Sequence, residues 1–336
     1  MQNNATKMIK FIFFLSFLTC LVGCGTSSPQ PVVKKKEVPA WVNSVLSNDD
    51  SLYMYGLGIA SNREGAVKAA LNDVVSRLGT TIESSYESIQ KVDGAYANLK
   101  TKSNIRADVS KIKINNYKVI KSYKLSYKEF AVMVAVDKMK FINGLKTELT
   151  IKKKSIKEAL LAVERLNAIE RYNRKKELFQ QAKSLFSSIY ILIELDPSFD
   201  KKSNFEFIFW VNKLFINEAQ KLRFSVHGNE KSVKFIEKIK NYLAQHGFRV
   251  VSSKKGSVNI VLNVSDNISE DYVLIAVLNL NIAVYDGQKR VGGKTLIVKE
   301  RYNNSIESVY KNASIHFEQE IQDEGISSVL GINLQL

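Results

Sequence analysis

Ser51-Leu52-Tyr53-Met54-Tyr55-Gly56-Leu57-Gly58-Ile59-Ala60 is followed by Ser61-Asn62-Arg63-Glu64, and then by Ala66, Val67, Ala70, Leu71, Val74, Val75 and Leu78. This stretch decides the fold of the first half of the chain. Residues 51–60 are a short apolar run bounded by polar residues, which reads as a strand. Ser61 to Glu64 has the form of a capping box, and the apolar residues after it recur at three- and four-residue steps, which predicts a helix. Gly56 and Gly58 let that helix approach the strand closely. Gly79 is expected to stop it, and Thr80 to Gln90, rich in β-formers, reads as another strand. A dinucleotide fingerprint shares the strand, Gly-x-Gly and helix order. Here Ser61 stands where the third glycine belongs and no parallel βαβ repeat follows, so that reading is rejected.

Outward from this stretch, Asp93 to Ser110 has mixed character. Ile112 to Leu125 and Tyr127 to Asp137 read as strands, the second with Phe130, Val132, Val134 and Val136 alternating. Residues 40–140 thus give a small α/β sandwich domain. Residues 141–222 are expected to be a helical hairpin. Its first arm runs along the Ile156, Leu160, Val163, Leu166 and Ile169 stripe to Asp196-Pro197, and its second spans Asn204 to Lys221. Residues 223–336 read as a second α/β domain with a mostly antiparallel sheet. They run strand (Phe224 to His227), helix (Val233 to Leu243), four further strands with a hairpin at Asp286-Gly287, and a last helix from Ser305. The fold class is α+β. The order in the last domain is similar, at the level of fold alone, to small periplasmic domains of envelope assembly factors.

The chain of 336 residues is 45% hydrophobic and 24% charged, which excludes a disordered chain and a multi-span membrane protein. Its net charge of +16 points to an anionic partner or surface. Residues 1–23 have the layout of a secretory signal peptide. Lys7 and Lys10 precede an apolar run from Phe11 to Val22 that is too short to span a bilayer. The run ends in Leu21-Val22-Gly23-Cys24, which resembles the lipobox of bacterial lipoproteins. That resemblance implies cleavage before Cys24 and covalent lipid on its sulfur and amine, the one group the chain is expected to carry, with no cofactor. Gly25-Thr26-Ser27 follow in place of the aspartate that signals inner-membrane retention, so the resemblance implies the outer membrane. Residues 24–39, with Pro29, Pro31 and Lys34 to Lys36, read as a tether. Of two cysteines, Cys20 leaves with the signal and Cys24 takes lipid, which excludes thiol catalysis and an internal disulfide.

Pro39-Ala40-Trp41-Val42, then Tyr55-Gly56-Leu57-Gly58-Ile59-Ala60, then the alanine helix, in this order behind a lipobox, resemble the Lpp-twenty family of bacterial outer-membrane lipoproteins. The resemblance covers residues 39–140 and leaves an additional C-terminal region. It implies a non-enzymatic envelope lipoprotein, and some relatives build flagellum-associated disks beneath the outer membrane.

His227, His246 and His316 are isolated, and no zinc, nucleophile-elbow or phosphate-loop motif is present, so no catalytic or metal-binding residue is assigned. The charge excess is local. From Asn98 to Lys157, fifteen lysines and Arg106 face only Asp108, Glu129, Asp137 and Glu148. Lys111, Lys113, Lys118, Lys121, Lys124 and Lys128, interleaved with Tyr117, Tyr123 and Tyr127, are the candidate anionic-partner patch; a lysine-protected edge strand is the structural alternative. Nucleic acid is not expected behind a signal peptide. The sequence therefore points to a structural or assembly lipoprotein, lipid-anchored and periplasm-facing, with envelope or flagellar proteins as partners and homo-oligomerisation compatible with it. The other reading is a ligand-binding lipoprotein contacting peptidoglycan or lipopolysaccharide through the patch.

Overall fold

The computed structural model describes residues 37–43, 50–92, 109–252, 256–269, 275–301 and 305–336. The signal peptide, Cys24 and nearly all of the tether lie outside the described residues, as does most of the mixed segment 93–110. The chain forms two compact units, 1–45 and 46–336. In the first, a one-turn helix α1 (Ala40–Asn43) starts where the Val42 N–H donates to the Pro39 carbonyl at 2.9 Å.

The second unit opens with β1 (Tyr53–Ala60) and α2 (Arg63–Val92), followed by β2 (Tyr117–Ser126) and β3 (Glu129–Asp137). The three strands form an antiparallel sheet in the order β1-β3-β2. Met54, Gly56, Gly58 and Ala60 share a face with Val136, Val134, Val132 and Phe130, and α2 covers it with Ala66, Ala70 and Val74. The approach is close enough to demand glycine. A Cβ on Gly56 would lie 2.1 Å from the Ala70 carbonyl oxygen, and one on Gly58 2.1 Å from that of Ala66.

The strand expected at Thr80 to Gln90 is a correction, because α2 runs through Gly79 to Val92. Leu78 and Ile82 are buried in the core on the helix's inner face, and that burial overrides local β-propensity. Thr80 and Thr81 satisfy their hydroxyls inside the helix, donating to the Ser76 and Arg77 carbonyls at 3.0 Å each.

The two-helix hairpin is also corrected. Four helices occupy this region: α3 (Lys138–Val163), α4 (Ala168–Ser184), α5 (Phe186–Leu195) and α6 (Lys201–Lys221). The apolar stripe hides the break before α4, because Leu166 and Ile169 keep helical spacing across it. The break is made by Asn167, which accepts from the Glu170 N–H while Glu170 accepts from the Asn167 N–H, a reciprocal capping box.

The remainder is β4 (Arg223–Gly228), α7 (Val233–Gln245), β5 (Arg249–Val251), β6 (Val258–Ser269), β7 (Ile275–Asp286), β8 (Lys289–Gly292), β9 (Thr295–Arg301), α8 (Ile306–Glu324) and α9 (Ile326–Leu330). The sheet order is β5-β4-β6-β7-β8, with β9 also paired to β7. Three pairings are antiparallel, and β4 runs parallel to β5 and β6. Gly287, at φ +59°, makes the β7–β8 turn.

Two apolar cores result. The first joins the small sheet and α2 to α3, α5 and α6 around Phe186, Phe205 and Ile189; the second joins the larger sheet to α7, α8 and α9 around Phe224, Phe235 and Phe317. Helix α4 contributes to both, with Ile169 and Tyr172 in the second core and Leu178 and Phe179 in the first. Among the described residues no helix is long and apolar enough to cross a membrane.

Candidate functional site

β2 is the strand where polar and apolar residues fail to sort. Eight of its ten positions are exposed and two are half-buried. Among the described residues it pairs with β3 alone, so it lies at the sheet edge. Lys118 and Lys121 pair with Ala135 and Met133, and are three residues apart yet on the same face, because the ladder slips at Ile120. This is the face turned away from α2, shared with Tyr55 and Leu57 of β1 and with Tyr123. Lys124 pairs with Phe130 and lies on the opposite face. Its ammonium stands 5.6 Å from the Phe130 ring centroid and 5.7 Å from that of Tyr127, which is 86% exposed. Lys128 occupies the β2–β3 turn, where its N–H donates to Ser126 Oγ at 3.3 Å. The strand thus offers cations and aromatic rings on both faces.

The other two predicted lysines are drawn elsewhere. Lys111 and Lys113 precede β2 and line a cavity of about 510 Å³ with Glu148 and Lys152 of α3 and Ser184, Ser187 and Ser188 around the α4–α5 junction. Lys152 and Glu148 are paired at 2.5 Å, both about half exposed. Asn115 lines this cavity and also a smaller one of about 190 Å³ bounded by Tyr117, Lys118 and Lys140, so cavity and strand adjoin. The structure therefore divides the patch: four of the six lysines on or beside the strand, two at a pocket.

A second lysine cluster lies between α3 and α6. Lys153 and Lys157 stand 5.1 and 5.9 Å from the Phe207 ring, beside the half-exposed Trp210. Burial, reinforced by the neighbouring Lys157 and opposed by Asp200, holds Lys153 below the ordinary lysine value. Lys153 also donates to Asn204 Oδ1 at 2.9 Å.

Beneath these surfaces α4 and α6 are joined by a buried ion network. Lys175 donates to Glu218 Oε2 at 2.8 Å and to Glu164 Oε1 at 2.9 Å, and Arg171 donates to Glu218 Oε1 at 2.9 Å. Burial alone pushes the Glu218 carboxyl up, but its hydrogen bonds to Lys175 and Arg171 outweigh that and hold it below the ordinary value. Burial likewise pulls Lys175 down, and its bonds to Glu218 and Glu164 hold it above the ordinary value. At the end of α5, hydrogen bonds from Lys146 and Ser198 lower Asp196 to about 2.

Sequence reasoning missed the residues that complete the pocket: Lys152, Ser187 and Ser188. The available signal was Ser187-Ser188 inside an otherwise apolar helix, Phe186-Ser187-Ser188-Ile189. Both serines are buried. No group of three or more His, Cys, Asp or Glu among the described residues is placed to hold a metal ion.

No family model matches the chain, so the Lpp-twenty resemblance rests on its own motifs, and no curated protein matches it. Among solved structures it is similar to the secreted protein HP1454 of Helicobacter pylori, at 14% identity and a TM-score of 0.41 over 80% of this chain and 96% of that one. It is also similar to a minor lipoprotein of Acinetobacter baumannii, at 13% identity and TM-score 0.24 over 32% of this chain and 90% of that one. Rare lipoprotein B of Shewanella oneidensis matches at 11% identity and TM-score 0.24, covering 32% and 95%.

Proposed function

We propose that this protein is a non-enzymatic outer-membrane lipoprotein with a structural or assembly role in the bacterial envelope, held through lipid on Cys24 and facing the periplasm. Its contact surface is the basic strand β2. The observation that carries this is the exposure of β2 along its length, with Lys118 and Lys121 on one face and Lys124 on the other. Protection from edge pairing accounts for lysine on the strand but does not call for the tyrosines set among the lysines. Two basic faces with aromatic rings suit a partner that is anionic and extended. Envelope or flagellar proteins are the partner class, and a flagellum-associated role follows the Lpp-twenty resemblance.

Two experiments test this. Cys24→Ala releases the protein from the membrane fraction if the anchor is right; retention in the pellet refutes it. Affinity isolation in mild detergent recovers envelope or flagellar proteins in a salt-sensitive manner, and a deletion strain tested for motility separates a flagellar role from general envelope maintenance. Recovery of glycan or lipid alone overturns the assembly role in favour of a second reading, a lipoprotein that binds peptidoglycan or lipopolysaccharide. That reading is favoured by one observation, the lysine- and serine-lined cavity next to β2.

A further inference from the structure

We infer that the outer edge of β2 is a strand-addition site, where an extended acidic segment of a partner protein pairs with the backbone and adds a fourth strand to the small sheet. This rests on the reading of β2 as the contact surface and names the partner's chemistry and its mode of binding. The two edges of the sheet are finished differently. On β1 the outward backbone groups are taken up by side chains: Asp50 accepts from the Tyr53 N–H at 2.5 Å, Asp73 accepts from the Leu57 N–H at 3.2 Å, and Arg77 donates to the Tyr55 carbonyl. That edge is closed to a further strand. On β2 the corresponding groups are open. Leu57 turns its N–H outward, so Gly58 and its partner Val132 exchange their backbone bonds across the β1–β3 ladder. Ser122 stands opposite Val132 on the other side, and its N–H and C=O therefore point to the free edge. Those of Tyr117 and Lys124, opposite Val136 and Phe130, do the same. Among the described residues no side chain bonds to the backbone of these three.

The side chains select the strand. Lysine on an edge disfavours chance pairing, and a second copy of β2 would set lysine against lysine. An acidic strand meets the same ammonium groups as cross-strand pairs of opposite charge, which are favourable. Among the described residues no carboxylate lies within ion-pair distance of Lys118, Lys124 or Lys128. By contrast, Lys146, Lys152 and Lys154 of α3 are already paired with Asp196, Glu148 and Glu158. Tyr117, Val119 and Ile120, 36–45% exposed, add aromatic and β-branched surface of the kind that packs across strands. The edge is therefore selective rather than closed: its open backbone supplies affinity, and its lysines restrict it to acidic sequence.

The full chain in non-ionic detergent, titrated by fluorescence anisotropy with a labelled peptide of alternating Thr and Glu, tests this. The peptide is expected to bind in a salt-sensitive manner, and its Thr-Lys counterpart not to bind. Methylating alternate backbone nitrogens of the peptide, in either of the two registers, keeps its charge. One register removes the donors on the pairing edge and is expected to weaken binding about tenfold or more. Ser122→Pro removes an outward N–H from β2 and leaves its lysines and the β2–β3 ladder in place. It is expected to weaken peptide binding about tenfold. It should keep the attraction to phosphatidylglycerol vesicles that the lysines supply, a retention that reports a folded chain. In hydrogen exchange the Ser122 and Lys124 amides should slow when the peptide is added. Equal binding of the parent peptide and both methylated registers, or unchanged exchange at these amides, overturns strand addition while leaving the charge of β2 as the contact. Unchanged peptide and vesicle binding after Lys118→Gln, Lys121→Gln and Lys124→Gln together overturns the β2 reading itself. Self-association that Ser122→Pro abolishes assigns the edge to a second copy and overturns the acidic partner.

Discussion

The two sheets of this protein each keep one face off their helices, and they treat that face differently. In the larger sheet, β7 alternates buried and accessible positions almost without exception, and the outward positions of β6 and β7 include Asn259, Asn263, Ser265, Asn279 and Asn281. On β6 and β7 these positions are uncharged, and the face satisfies itself in places, Thr295 donating to Asn281 Oδ1 at 2.9 Å; its cations, Arg223, Arg249, Lys299 and Arg301, stand on the strands around them. In the smaller sheet the outward positions of β2 are Lys118, Lys121 and Tyr123, and the alternation breaks down along the whole strand. Both faces meet water and both carry cations, but only β2 interleaves lysine with tyrosine on a strand exposed along its length. Exposure alone therefore does not mark a contact surface here. Lysines set among tyrosines on an exposed edge strand do.

The strongest way to break this comparison is to uncouple the halves that carry the two sheets. Glu218→Ala leaves Lys175 and Arg171 without their shared carboxylate and is expected to cost about 3–5 kcal/mol. Thermal unfolding should then show two transitions where the parent shows one. The network also sets a pH window. Glu218 is held below its ordinary value, so its contribution is present above about pH 4.3 and is lost as pH falls through the lowered value. Lys175 is held above its ordinary value, so its contribution is present below about pH 10.4 and is lost as pH rises through the raised value. A Glu218→Gln variant should therefore differ most from the parent near neutrality and least in acid. A constant difference between pH 2 and 7 would sink the assignment.

Next in size is the charge itself. Lys118→Gln, Lys121→Gln and Lys124→Gln together remove about 1 kcal/mol per lysine of attraction to an anionic surface, or about a hundredfold in vesicle binding at low salt. The Cys24→Ala chain, co-sedimented with phosphatidylglycerol vesicles, measures it. Asn263→Ala and Asn281→Ala on the other sheet serve as the contrast and should change nothing; equal losses from both sheets would erase the distinction.

Gly58→Val targets the smaller sheet alone. A side chain there meets the Ala66 carbonyl, the Ala70 amide and the Ala69 carbonyl carbon, none of which can move aside, and the expected cost is about 1–3 kcal/mol or more. Hydrogen exchange should show faster opening of β1 and α2, with β6 and β7 protected as before. The smallest effect expected is from Asn167→Ala, which deletes the cap that starts α4 between the two cores and costs about 1 kcal/mol in denaturant unfolding.

Much of this architecture was legible in the residues. The β1–α2 unit could be read from Gly56, Gly58, Ala66 and Ala70, because close packing of a strand on a helix requires small side chains at those spacings. The larger sheet followed from period-two alternation in Val258 to Val264 and from the Asp286-Gly287 turn. Two elements were not legible. Thr80 to Gln90 is rich in β-formers alternating with polar residues, and burial of Leu78 and Ile82 on the inner face of α2 overrides that local preference. The start of α4 is set by a side-chain cap at Asn167 inside an unbroken apolar stripe, where periodicity gives no sign of a break.

The sequence by itself determined the lipobox-like motif that ends in Cys24, the α+β class, and the concentration of lysine between residues 98 and 157, because those depend on residue identity and local spacing. Only the tertiary structure decided how that charge is spent. A ladder slip at Ile120 puts Lys118 and Lys121 on one face, and the packing of α3 and α5 brings Lys152, Ser187 and Ser188 to Lys111 and Lys113 from more than thirty residues away. Side chains that far apart in the chain meet only when a core fixes the backbones between them, and no local pattern encodes such a meeting.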